Sequence, residues 1–152
     1  MPFDGSNHLT LSVIYTEDDF LELRATVNSK SDRCGNWAGN DSAYINEESL
    51  FEFAEQLAAF SKRVGDPCEF TAGDLDCASS SYPGSIRLRF YAKDKSKHIA
   101  CYCQLVEWAM EAAERNCLQV VLSIEAASLD EFIKQLRDLA QGSVDSASLL
   151  FE

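Results

Sequence analysis

The stretch SIRLRFYAKDKSKHIACYCQLVE, residues 85–107, decides the fold. Ile86, Leu88, Phe90 and Ala92 alternate with Arg87, Arg89, Tyr91 and Lys93, and the return arm puts Ile99, Cys101, Cys103 and Leu105 on one face. A period of two is that of a strand with one buried face. Asp94 to Lys97 is a polar break with turn composition. Pairing Lys93 with His98 across it sets Phe90 opposite Cys101, Leu88 opposite Cys103 and Ile86 opposite Leu105. The other face then pairs Arg89 with Tyr102 and Arg87 with Gln104. A slip of one residue would turn every apolar group outward, so the register is strongly specified. One face is a dry core wall; the other is polar and aromatic.

The same alternation extends outward from this hairpin. Leu9, Leu11 and Val13 alternate with Thr10, Ser12 and Ile14; after a turn at Thr16 to Asp18, Leu21, Leu23, Ala25 and Val27 alternate with Glu22, Arg24, Thr26 and Asn28. Matching apolar faces pairs Leu21 with Val13, Leu23 with Leu11 and Ala25 with Leu9. Ser29 to Asn40 is polar and glycine-containing, which predicts a loop or an irregular strand start, with a third strand ending at Ala43 to Ile45. Short strands are expected at Cys68 to Ala72 and over Leu118, Val120, Leu122 and Ile124, while Trp108 to Asn116 suits either a helical turn or a loop.

Two helices follow from the 3.6-residue pattern. Asn46 caps the first, Glu47 and Glu48 complement its dipole, and Leu50, Phe53, Ala54, Leu57, Ala58 and Ser61 form its inward stripe, widened by Phe51 and Phe60. The second opens on a capping box, Ser128 with Glu131, carries Leu129, Phe132, Ile133, Leu136, Leu139 and Ala140 inward, and stops at Gly142. The expected architecture is α+β: a mainly antiparallel sheet of about six to seven strands with two amphipathic helices packed on one face. A single domain over residues 1–152 is expected, with 1–8 and 143–152 as loosely ordered tails, though Leu149, Leu150 and Phe151 could dock.

Composition bounds the function. The net charge is −12, from 25 acids against 13 bases, which opposes nucleic-acid binding and favours rapid encounter with a basic partner. Arg87, Arg89, Lys93, Lys95 and Lys97 form a local basic cluster that reads best as a solvated face with a lysine-guarded turn. No apolar run approaches the length of a membrane span, Met1 to His8 lacks the pattern of a secretory signal, and cysteines that read as reduced thiols imply a cytoplasmic protein. The six cysteines include no C-x-x-C pair, and Cys101 and Cys103 project the same way roughly 6.5–7 Å apart, too far for an unstrained disulfide. Reduced, mostly buried thiols are expected, with no metal and no cofactor.

The candidate chemistry is sparse. Asp74 and Asp76 flank Leu75 after a strand end and could pair as acids or hold a cation, though solvation in a loop explains them more simply. Asp41 lies near the start of the first helix, and Trp37 sits in a polar, glycine-flanked segment with little nearby to bury it. Arg89, Tyr91 and Tyr102 share the outer face of the hairpin. His98 and Cys101 fall on opposite faces, which disfavours a dyad. No G-x-S-x-G and no phosphate-cradling glycine loop is present.

Trp37 to Asn40 running on to Ile45, then Leu50 to Phe53 and Leu57, followed by Ile86 to Phe90, Asp94, His98 and Ile99, resemble small, mostly uncharacterised bacterial proteins of the WapI-type immunity kind. The resemblance spans about residues 9–140 as an order of elements. Lys97 departs from it, standing where the pattern prefers glycine. It implies neutralisation of a toxin by direct binding, and carries no catalytic residues. The reading is therefore an acidic interaction module with a protein partner, a basic toxin domain in its sharpest form. Trp37, Asp41, Asp74, Asp76, Arg89, Tyr91 and Tyr102 are the candidate contacts. The alternative is a small-ligand-binding protein or small enzyme with its site near the 73–84 loop. The sequence says nothing of oligomeric state.

Overall fold

The computed structural model describes residues 7–31, 35–63, 65–73, 84–107 and 116–152. They form an α+β fold whose elements follow in the order β1 (His8–Glu17), β2 (Phe20–Ser31), β3 (Gly35–Asn46), α1 (Glu47–Lys62), β4 (Cys68–Ala72), β5 (Gly84–Ala92), β6 (Ile99–Glu107), β7 (Cys117–Ile124), α2 (Ala126–Ala140) and β8 (Ser146–Leu150). The strands make two four-stranded sheets rather than one, in the orders β3-β2-β1-β8 and β4-β5-β6-β7. All pairings are antiparallel.

The β5–β6 hairpin has the register that its alternation demands. Phe90 faces Cys101, Leu88 faces Cys103, Ile86 faces Leu105 and Arg89 faces Tyr102. Lys93 N–H donates to the His98 carbonyl at 2.8 Å, closing the turn. Asp94 holds that turn: one carboxylate oxygen accepts from the His98 backbone N–H at 3.2 Å and the other lies 2.6 Å from His98 Nδ1. These bonds hold the Asp94 carboxyl below its usual range. Lys97 takes positive φ, 61°, at the position where glycine would be unstrained.

The β1–β2 hairpin differs from expectation. Its partners are Val13 with Leu23, Leu11 with Ala25 and Leu9 with Val27, two residues along from the predicted pairing. The strands run on to Glu17 and Phe20, leaving a two-residue turn at Asp18 and Asp19, and Ile14 is an extra, bulged residue between Val13 and Tyr15. A shift of two preserves the faces, so Leu9, Leu11, Leu21, Leu23, Ala25 and Val27 all remain buried. Within the polar segment Ser29 to Asn40 the described residues 29–31 and 35–40 are strand, which bears out the strand-start alternative: β2 and β3 pair continuously from Phe20 with Asn46 to Ser31 with Gly35. Backbone pairing to a long neighbour overrides its weak strand composition. Residues 146–150, expected in a loose tail, form β8 against β1, with Leu149 opposite Leu9 and Ala147 opposite Leu11. Beyond it the Glu152 N–H donates to the Ser123 carbonyl of β7 at 3.0 Å, so the C-terminal residues touch both sheets.

One apolar cluster joins the inner faces of both sheets to the two helices. Phe53 of α1 stacks on Phe70 with ring centroids 4.4 Å apart, and Phe90 lies 6.2 Å from Phe53 and 6.5 Å from Phe132 of α2. Such spacings suit the aromatic quadrupole and add to the area buried. Asn46 caps α1 as expected, accepting from Glu48 N–H at 2.9 Å. Phe51, expected inward, is instead exposed: it lies about 100° from Leu50 around the helix, off the buried face. α2 starts two residues before the expected capping box, with Glu125 as N-cap and no side-chain cap bond. Ala126 and Ala127 are good helix formers and extend it, placing Ser128 inside the first turn. At its end Gly142, with φ 79°, donates to the Leu139 carbonyl while Ser143 donates to that of Asp138, a Schellman stop.

The sheets meet where β3 crosses β4, β5 and β6. Its inward residues there are small. A Cβ on Gly39 would lie 2.7 Å from a Leu118 methyl, and one on Gly73, at the end of β4, would lie 3.3 Å from the Ala43 Cβ. Asp41 occupies the same row.

Candidate functional site

The seven candidate contacts named from the sequence fall into separate places once the chain is folded. Asp74 and Asp76 lie outside the described residues. Trp37 pairs with Ser29 by backbone register, and its side chain is likewise outside the described part. The 108–115 segment, with Trp108, is outside it too.

Asp41 is half-buried in the seam between the sheets. Its Oδ1 accepts from the Ser42 N–H at 2.8 Å, while Oδ2 is buried without a hydrogen-bond partner among the described residues. A Cβ on Gly84 would come within 2.5–2.7 Å of this carboxylate, so only glycine allows β5 to approach it. Burial raises the Asp41 carboxyl to about 6, and the nearby charge of Glu107 adds to the rise.

Arg89, Tyr91 and Tyr102 do come together on the outer face of the second sheet. Arg89 lies between Glu69 and Tyr102 across the strands, and Tyr102 pairs onward with Val121. Arg87 ties this face down. Its Nε lies 3.1 Å from Glu69 Oε1, its Nη2 donates to Oε2 at 3.2 Å, and its guanidinium sits 5.9 Å from the Tyr102 ring centre. The face is polar, with charges matched across strands, as expected of a solvated sheet surface. It lies at the far end of β5 from Gly84 and Asp41, so the candidates do not form one site.

The inner thiols are inert. Cys68, Cys101 and Cys103 are buried and free, while Cys117 is free and exposed. Burial pushes Cys68 up to about 11 and Cys103 to about 12, and raises Cys101 as well. Among the described residues no group of three or more His, Cys, Asp or Glu side chains is placed to hold a metal ion. No described helix is long and apolar enough to cross a membrane.

A different surface gathers the exposed aromatics. Tyr15, Glu22 and Tyr44 are register neighbours across β1, β2 and β3, and Glu17, Phe20 and Asn46 form the next row toward the turn. Cross-strand partners share a face, so all six point outward from the first sheet. The bulge at Ile14 produces this arrangement. Up to Val13 the odd positions face the core; after the extra residue, Tyr15 and Glu17 face solvent. Phe20 is 60% exposed, Tyr15 53% and Tyr44 39%. With Glu17, Asp18 and Leu21 they line an open cleft of about 280 Å³, below the roughly 300–1,000 Å³ of small-molecule sites. The Tyr15 hydroxyl donates to Glu17 Oε2 at 3.0 Å, and the facing carboxylate raises the phenol's pKa.

Past Asp19 the surface continues into a hollow lined by Asn46, Glu47, Glu48 and Phe51, the last 49% exposed. Asp19 anchors the junction, its carbonyl accepting from Glu47 N–H at 2.9 Å. The aromatic surface is thus edged by Glu17, Asp18, Asp19, Glu47 and Glu48, with Glu22 between Tyr15 and Tyr44. Sequence reasoning missed it because strict alternation gives no sign of a bulge, and because Phe51 borders an otherwise apolar stripe. The signal that was available is Phe20, an aromatic directly after the acidic run Glu17 to Asp19. No family model, no curated protein and no solved structure matches this chain.

Proposed function

We propose that the protein is an acidic interaction module that docks a basic protein partner, in the manner of an immunity protein neutralising a toxin by direct binding. The supporting observation is the surface at the β1–β2 turn, where Tyr15, Phe20, Tyr44 and Phe51 are exposed inside a rim of carboxylates. Exposed aromatics in a cluster are the usual anchors of protein interfaces. The acidic rim and the net charge of −12 supply complementarity to a basic partner and speed encounter. The test is co-purification with the product of the gene adjacent to its own, followed by association rates at low and high salt. Salt should slow association more than it changes dissociation. Absence of binding, or association indifferent to salt, would remove this reading.

The alternative, a ligand site or small enzyme by the 73–84 loop, has one observation in its favour. Asp41, whose pKa is raised and whose Oδ2 has no partner among the described residues, lies against Gly84. Turnover or ligand binding that disappears in Asp41→Asn would favour it over the interaction reading.

A further inference from the structure

We infer that the cleft between Tyr15, Phe20 and Tyr44 receives a single long cationic side chain, a lysine or arginine, from a basic protein partner. This rests on the interaction reading and names the group recognised. Three rings line one cleft open to solvent, and Glu17, Asp18 and Leu21 line it with them. Aromatic faces attract a cation, while their carbon surface suits the aliphatic stem that bears it. The carboxylates in the lining supply charge-assisted partners for the cationic head. The cleft's volume, about 280 Å³, suits one side chain rather than a folded-in ligand. The bulge at Ile14 is what turns Tyr15 into the cleft; bulges that re-aim one side chain cluster at binding sites. A neutral apolar anchor would gain nothing from Glu17 and Asp18, and an anion would be repelled by them.

The test titrates the full chain, followed by NMR, with three capped peptides: Gly-Lys-Gly, Gly-Arg-Gly and Gly-norleucine-Gly. Saturable shifts should centre on Tyr15, Phe20 and Tyr44. The lysine or arginine peptide should bind about fivefold or more tighter than norleucine. Phe20→Ala should abolish the shifts, Glu17→Gln should erase most of the preference, and Lys134→Ala, on the exposed face of α2, should change neither. Equal binding of norleucine, or an unaltered preference in Glu17→Gln, overturns the assignment. So do shifts that grow with protein concentration alone, which would make a second copy of the chain the occupant. If the adjacent gene's product binds through this patch while the peptides fail to discriminate, the cation assignment falls and the interaction reading stands. Discrimination among peptides by a chain that binds no protein does the reverse.

Discussion

The two hairpins β1–β2 and β5–β6 obey the same alternation but reach opposite outcomes. In β5–β6 the alternation holds from Ile86 to Phe90 and from Cys101 to Leu105, where the apolar positions are buried and Arg87, Arg89, Tyr102 and Gln104 reach the surface. In β1–β2 one extra residue, Ile14, breaks the period halfway along β1. Beyond the break, Tyr15 and Phe20 lie outward with Glu17, and the tip becomes an aromatic surface rather than an end of the core. Regular pairing thus builds the core wall, and a single irregularity builds the candidate binding surface.

The largest expected effect separates inner and outer faces of the regular hairpin. Phe90→Ala should cost about 3–5 kcal/mol, because the ring is fully buried against Phe53 and Phe132. Arg89→Ala, one residue away on the exposed face, should stay within about 0.5 kcal/mol. Urea midpoints measure both, and equal losses would break the comparison.

At the irregular hairpin the ranking should invert. Phe20→Ala is expected to leave stability within about 0.5 kcal/mol while weakening partner binding by about 2 kcal/mol or more. Titration calorimetry alongside denaturation separates the two quantities. A large loss of stability with unchanged affinity would make the tip structural.

The seam that joins the hairpins' two sheets gives a pH test. The Asp41 carboxyl, raised to about 6 in the fold, binds its proton more tightly there than in the unfolded chain. Its contribution to stability is therefore most favourable below about pH 4, falls as pH rises to about 6, and stays lower above. Because Asp41 is only half-buried, solvent screening holds the effect to about 1 kcal/mol. Asp41→Asn should flatten this fall and raise stability at pH 7 by a similar amount. A variant less stable than the parent at pH 7 would mean that the charged form is held by a partner.

The smallest effect compares the two turns. Lys97 and Asp18 both adopt positive φ, 61° and 50°. Lysine gains nothing there, while Asp tolerates the left-handed region better. Lys97→Gly should stabilise by about 0.5 kcal/mol, and Asp18→Gly by less. Thermal midpoints of the two variants would show the order, and a reversed order would break it.

The extent of legibility follows the same division. The β5–β6 register, the α1 cap at Asn46, the stop at Gly142 and the buried positions of Cys68, Cys101 and Cys103 were all readable from local patterns. Each depends on residues close together in the chain. The registers of β1 and β2, the full length of β3 and the strand β8 were not readable. Each is settled by pairing with a neighbouring strand, in the extreme a distant one, as when Leu149 lines up against Leu9.

The sequence by itself determined most of the residues that would be inside, Phe51 excepted, because burial follows a two- or 3.6-residue period that side-chain polarity writes directly into the chain. It determined the α+β class for the same reason. Only the tertiary structure decided that the strands divide into two sheets, that β3 crosses the second sheet on small residues, and that Asp41 is held in that seam. It alone brought Tyr15, Phe20 and Tyr44 around one cleft. Their meeting depends on a bulge and on the cross-strand register that carries Tyr15 through Glu22 to Tyr44, and a periodic pattern carries no record of either.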